Sequence, residues 1–249
     1  MPRYFAFMLA VVAGMTITSA RAQTTPTAAH NCRFVKIPMR DGVALNTSIC
    51  EPRLRGGPLP FLLTRTPYGI AGDTVVRNDY RFLAEDGYIF VFQDIRGRYG
   101  SGGEFIMQRP LRDKTDSDSV DETTDTHDTV EWLLKNVPNN NGRAGALGVS
   151  YPGFLATMAG INPHPAMKAI SPQAPMTDTW MGDDFFHQGA FRLSYGFEYA
   201  GSMELSNDQS VSLPIDRWDT YDWYLALGPL ANVNARYFRG KVPTWNAFV

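Results

Sequence analysis

Apolar positions along the chain fall into short continuous or alternating runs, separated by stretches where they recur at helical spacing. Pro58 to Leu63 and Tyr88 to Asp94 are runs of apolar, β-branched and aromatic residues, as expected of strands covered on both faces. Phe34 to Pro38 and Val43 to Ile49 read as a hairpin turning at Arg40-Asp41-Gly42. Thr74 to Glu85 carries Val76, Tyr80, Leu83 and Ala84 at helical intervals and stops at Asp86-Gly87. A second helix is expected over Thr126 to Lys135, with Val130, Leu133, Leu134 and Val137 as its apolar face and Pro138 to Gly142 closing it. Then come a strand from Ala144 to Val149, a helix from Pro152 to about Ile161, and a strand from Met167 to Ser171.

Strands and helices alternating in this way predict an α/β fold, a mostly parallel sheet with helices on both faces and an antiparallel hairpin at its edge. From Asp178 onward the pattern changes to scattered Trp, Phe and Tyr in helical or irregular sequence. That region is expected to be the start of a helical cap inserted after the sixth strand, incomplete over 178–249, with 23–177 the N-terminal part of the α/β domain. Met1 to Ala22 has a basic start at Arg3, a short apolar core and Ala20-Arg21-Ala22, the layout of a cleavable signal peptide. Its apolar core is too short for a retained span, so the protein is expected to be secreted or periplasmic.

Composition adds less. The chain is 44% hydrophobic and 19% charged with a formal net charge of -2, which gives no electrostatic case for nucleic acid or an anionic membrane. Export makes the two cysteines informative. Cys32 and Cys50 lie equally far from Asp41 at the hairpin turn, so a symmetric hairpin places them opposite one another and predicts a disulfide.

The chemistry centres on Gly148-Val149-Ser150-Tyr151-Pro152-Gly153. A serine between a buried strand and a helix, with glycines where side chains would crowd a sharp turn, is the layout of a nucleophile elbow. The common pattern has glycine two residues after the serine. Here Pro152 stands there and glycine follows it, and proline fits a helix's first turn.

This motif resembles the GxSYxG elbow of X-Pro dipeptidyl-peptidases and cocaine-esterase-type (CocE/NonD) hydrolases. Met39-Arg40-Asp41-Gly42-Val43, Arg65-Thr66-Pro67-Tyr68, Gln93-Asp94-Ile95-Arg96-Gly97-Arg98 and Asp125 to Leu133 are similar to the same family. Trp180 to His187, with Gly189-Ala190-Phe191, resembles the α-amino acid ester hydrolases, which are linked with cephalosporin and glutaryl acylases. The resemblance runs from about Arg33 to the last residue. It implies an α/β-hydrolase fold and a serine hydrolase in which Ser150 attacks an ester or amide carbonyl and forms an acyl-enzyme. It assigns the oxyanion donors to the backbone N–H of Tyr151 and the phenol of Tyr68. It also implies that the triad acid and histidine come from segments after the cap, followed by a jelly-roll domain. None of these is present, so the chain reads as an N-terminal fragment lacking the C-terminal part of the fold, and is expected to be nearly inactive alone. The other readings are an X-Pro dipeptidyl-peptidase, a cocaine-esterase-like carboxylesterase, and a catalytically inactive truncated product.

Other polar features have plainer readings. His164, in Asn162-Pro163-His164-Pro165, reads as structural, and His187 as a pocket or packing residue. Asp183 and Asp184 could meet a substrate amine or cap a helix; Pro152 stands where an acidic residue would have strengthened an amino-ester reading. The acidic run from Asp113 to Asp128 lacks EF-hand spacing and reads as a solvated face leading into a helix. Gly97 to Gly103 lacks the GK[ST] of a phosphate loop. No cofactor or metal is called for, the expected partner is a small-molecule ester or amide, and the full-length protein is free to form a homo-oligomer. Alkylation before and after reduction tests the disulfide: the unfolded, oxidised chain should take up label only after reduction.

Overall fold

In a computed structural model the described residues are 30–53, 56–70, 76, 79–179, 181–216 and 218–249. The expected signal peptide and much of the helix expected over Thr74 to Glu85 lie outside them. Six strands form one sheet: β1 His30–Pro38, β2 Ala44–Pro52, β3 Leu59–Thr66, β4 Ile89–Asp94, β5 Asn140–Val149 and β6 Met167–Gln173, in the order β1-β2-β4-β3-β5-β6. β1, β2 and β4 pair antiparallel, while β4, β3, β5 and β6 run parallel. The leading hairpin is therefore the antiparallel edge of an otherwise parallel sheet. Cys32 faces Cys50 across it, and the two form a disulfide.

β4 is buried along its whole length, because helices cover both faces. Phe61, Leu63, Ile89, Val91 and Ala144 pack with Val130, Leu133 and Val137 of α2, Glu122–Asn136. The alternate residues Leu62, Phe90 and Phe92 pack with Ala84 of α1, Arg81–Asp86. The period of two along β3 and β4 thus sorts their side chains between two layers. α3, Tyr151–Ala159, follows β5, and its Ala156 and Ala159 pack on Ala146.

Beyond β6 the chain forms a ribbon, β7 Phe186–His187 with β8 Ala190–Phe191, and then α4 Leu193–Glu204, α5 Tyr221–Leu227, α6 Ala231–Val233 and α7 Pro243–Phe248. A π-turn over Asn234–Phe238 continues α6. Phe197, Phe238 and Trp245 form an aromatic core that is continuous with Ile95, Tyr151 and Leu155 of the α/β domain. The region expected to be helical thus carries one short ribbon as well, and it is seated directly on the Ser150 elbow.

The acidic run corrects the sequence reading. α2 starts at Glu122, earlier than Thr126, because Asp121 caps it. The Asp121 carboxylate accepts from the N–H groups of Thr123 and Thr124, and the Thr124 hydroxyl accepts from the Asp121 N–H. Asp121, Glu122 and Asp125 are buried rather than solvated. Arg65 bonds Glu122 at 2.7 Å and lies 3.5 Å from Asp125. Arg96 bonds Asp125 at 2.7 Å and Asp41, at the hairpin turn, at 2.6 Å. Four of the segments that carry the family resemblance therefore meet in one ion network, buried except at Asp41. Burial drives the Glu122 carboxyl up against the pull of Arg65.

Burial alone would raise Asp121, but the donors from Arg112, Thr123 and Thr124 more than offset it and leave the group below its usual range. A carboxylate with a depressed folded-state pKa contributes stability that is complete above its unfolded value, and this is lost as the pH falls through the folded one. Asp121→Ala should cost about 1 kcal/mol or more at pH 7. In urea titrations the gap from the parent should narrow below about pH 3.8, the value from which Asp121 is depressed.

Candidate active site

Ser150 sits at the C-terminal end of β5 with φ 63° and ψ −125°, a sparsely populated conformation that costs roughly 1–3 kcal/mol. Surrounding contacts enforce it. The Ser150 N–H donates to the carbonyl of Gln173 on β6, and its own carbonyl accepts the first helical bond from Phe154. Two glycines make the turn possible through close approach. A Cβ on Gly148 would lie 2.3 Å from the Pro152 carbonyl oxygen, and one on Gly153 would lie 2.3 Å from that of Gln173. The shift of the second glycine past Pro152 is thus accommodated, with proline in the first turn of α3.

Tyr151 opens that helix, so its N–H is one of the donors without an intrahelical partner. Its side chain is completely buried, and its phenol oxygen accepts from the Gln108 N–H at 2.5 Å. Tyr68 stands in the loop after β3, where its N–H is held by the Thr66 hydroxyl. Its phenol interacts with the Ser150 side chain and lies 2.8 Å from the phenol of Tyr199 on α4. Tyr195, one helical turn before Tyr199, stacks on it at 5.3 Å between ring centroids. On the outer side of α4, Tyr195, Glu198 and Tyr199 line a cleft of about 580 Å³ with Val211, Leu213 and Ile215.

All four phenols are held neutral. Burial raises Tyr68 against the opposing pull of the Tyr199 and Ser150 hydroxyls. Burial also raises Tyr151 and, with Tyr68 beside it, Tyr199. Tyr195 is pushed up to about 12, first by burial and then by Asp184. A protonated phenol is the form that donates a hydrogen bond to a developing oxyanion.

The remaining residues singled out in the sequence separate. Asp184 acts electrostatically on Tyr195 and Tyr68; burial holds its own carboxyl above the usual range. Asp183 instead fastens a turn, accepting from the N–H groups of Thr177 and Asp178. His187 is exposed on β7. His164 lies before β6, at the opposite end of the sheet from Ser150, bonded to Glu131 at 2.8 Å and edge-on to the His127 ring at 4.7 Å between centroids. Among the described residues no histidine is hydrogen-bonded to Ser150. Sequence reasoning passed over Tyr195 and Tyr199, whose spacing of one helical turn on α4 was the available signal.

The X-Pro dipeptidyl-peptidase profile matches residues 41–235. The chain belongs to that family, the S15 family. The chain is also similar to the cocaine esterase of a Rhodococcus strain, 35% identical over 163 residues, which are 64% of this chain and 26% of the esterase. Two solved structures superpose well. An aminopeptidase from a marine sediment archaeon of the Thaumarchaeota has a TM-score of 0.81 at 37% identity, covering 96% of this chain and 41% of its own. An α-amino acid ester hydrolase has a TM-score of 0.80 at 36% identity, covering 96% and 40%. The fold is the α/β-hydrolase type of these enzymes, and the chain spans less than half the length of each.

The elbow yields a stability test. Gly153→Ala would drive a methyl group into the Gln173 carbonyl that also receives the Ser150 N–H. Such overpacking typically costs about 1–3 kcal/mol. Urea denaturation should show a loss of at least that size, whereas Gly182→Ala, with open space around it, should stay near the parent.

Proposed function

We propose that this S15 chain carries the nucleophile and oxyanion hole of a serine hydrolase acting on esters or amides through an acyl-enzyme, in the manner of an α-amino acid ester hydrolase. The observation that carries this reading is Ser150, raised on a strained elbow with the neutral Tyr68 phenol against its hydroxyl. In the reaction the Ser150 Oγ attacks the acyl carbon and its proton passes to a histidine base. The carbonyl oxygen, now negative, takes hydrogen bonds from the Tyr151 N–H and the Tyr68 phenol. Collapse expels the alcohol or amine, which takes the proton from the histidine, and water then cleaves the acyl-serine. On this reading the histidine and its orienting acid belong to a segment that follows the cap.

Two similar proteins, an aminopeptidase and an α-amino acid ester hydrolase, are named for substrates with an amine beside the acyl carbon. Asp184, close enough to act on Tyr68, supports the same preference here, with Asp183 and His187 as neighbours on the same stretch. The Cys32–Cys50 bridge suits an oxidising compartment and supports export to the periplasm or medium.

The test uses the full-length protein with a phenylglycine methyl ester, an Xaa-Pro anilide and a benzoyl ester, the first expected to be hydrolysed best. Ser150→Ala should abolish turnover, and Tyr68→Phe should lower kcat by about 10²–10³. Asp184→Asn should raise KM for the amino ester and leave the benzoyl ester alone. Hydrolysis that survives Ser150→Ala would sink the reading.

A further inference from the structure

Arg98 is a completely buried guanidinium, and among the described residues no carboxylate pairs with it. Its partners are carbonyls from two distant parts of the chain. Nε donates to the Pro67 carbonyl, immediately before Tyr68, at 3.0 Å. Nη1 donates to the carbonyl of Met203 on α4 at 2.6 Å, and to that of Ser206 just beyond the helix. The guanidinium carbon lies 5.2 Å from the ring centroids of both Tyr99 and Phe105. Burying a cation without a counter-ion is costly, and carbonyl dipoles fixed on either side offset part of that cost here.

The neighbouring residue completes the connection. The Tyr99 N–H donates to the Asn207 carbonyl at 2.6 Å, and the Tyr99 ring packs so closely on Gly69 that a Cβ there would lie 2.9 Å from it. Pro67 and Gly69 flank Tyr68, and Met203 lies one turn beyond Tyr199 on α4. The two phenols that bond at 2.8 Å are thus carried by two segments that Arg98 and Tyr99 hold together from beneath. Arginine suits this role because its planar fork presents several donors in fixed directions, whereas a lysine ammonium is a single point.

We propose that Arg98 is a positioning residue: by joining the Pro67 carbonyl to the end of α4, it sets the Tyr68 phenol against Ser150 and couples the oxyanion donor to the cap. The catalytic consequence rests on the serine-hydrolase reading, but the placement of Tyr68 does not. Without Arg98, the Tyr68 loop and α4 lose their shared anchor, and the phenol drifts from the elbow. A displacement of about 1 Å is enough to cost on the order of 10² in rate.

The experiment labels the chain with 3-fluorotyrosine and follows Tyr68 by fluorine NMR, its resonance assigned by its loss in Tyr68→Phe. In the parent, Tyr68 should titrate above free fluorotyrosine. In Arg98→Met the resonance should move toward that of free fluorotyrosine and its midpoint should fall. Arg98→Lys, which keeps the charge and can hold one carbonyl, should lie between. An unchanged Tyr68 resonance and midpoint in a folded Arg98 variant overturns the proposal. So does failure of both variants to fold, which would make Arg98 a folding residue only. In the full-length protein Arg98→Met should lower kcat by about 10–10² with KM little changed, and should add almost nothing to Tyr68→Phe. Should hydrolysis survive Ser150→Ala, the hydrolase reading falls while the fluorine spectra still decide the role of Arg98.

Discussion

The C-terminal edge of the sheet depends on a chain of charges, buried at Glu122 and Asp125 on α2, Arg65 at the end of β3 and Arg96 after β4, and reaching the surface at Asp41 in the hairpin turn. A buried ion pair is a weak source of net stability, but removing one member strands the other in a poor solvent. The network therefore works as a constraint on register. It admits one arrangement of two strand ends, one helix start and one hairpin, and the loops that follow Arg65 and Arg96 begin from fixed points. Tyr68 lies three residues beyond the first and Arg98 two beyond the second.

Charge and strain are divided between two layers of the site. The lower layer is ionic and mostly buried, open to water only at Asp41. Above it the phenols of Tyr68, Tyr151, Tyr195 and Tyr199 are neutral and directional, and Ser150 is held in its unusual conformation by main-chain bonds and two glycine contacts. Electrostatic preorganisation of this kind needs donors that neither ionise nor reorient when negative charge forms.

Much of this was legible in the sequence where the determinants are local. The hairpin, the β4 run, the elbow and its two glycines depend on residues within about two dozen positions of each other, and several motifs in order pointed to the family. The start of α2 was misread because Glu122 and Asp125 resemble solvated acids until their arginine partners, remote in sequence, are placed beside them. Asp121 could have been recognised as a cap from Thr124, three residues later. Arg98 was invisible for a different reason: its partners are carbonyls, which every residue carries, so no residue type marks them. Tyr199 belongs to a pairing across the cap that only the folded chain brings together.

The Cys32–Cys50 bridge closes the first hairpin at its open end, while Asp41 anchors the turn to Arg96. The hairpin is thus tethered at both ends by unlike chemistry, one bond covalent and reducible, the other ionic and partly buried. At about 3.3 Å per residue the two tethers lie roughly 30 Å apart. Reduction would loosen the end remote from Ser150 and leave the turn in its ionic socket. The elbow is in this sense insulated from thiol chemistry, and the bridge serves the durability of the sheet edge more than the shape of the site.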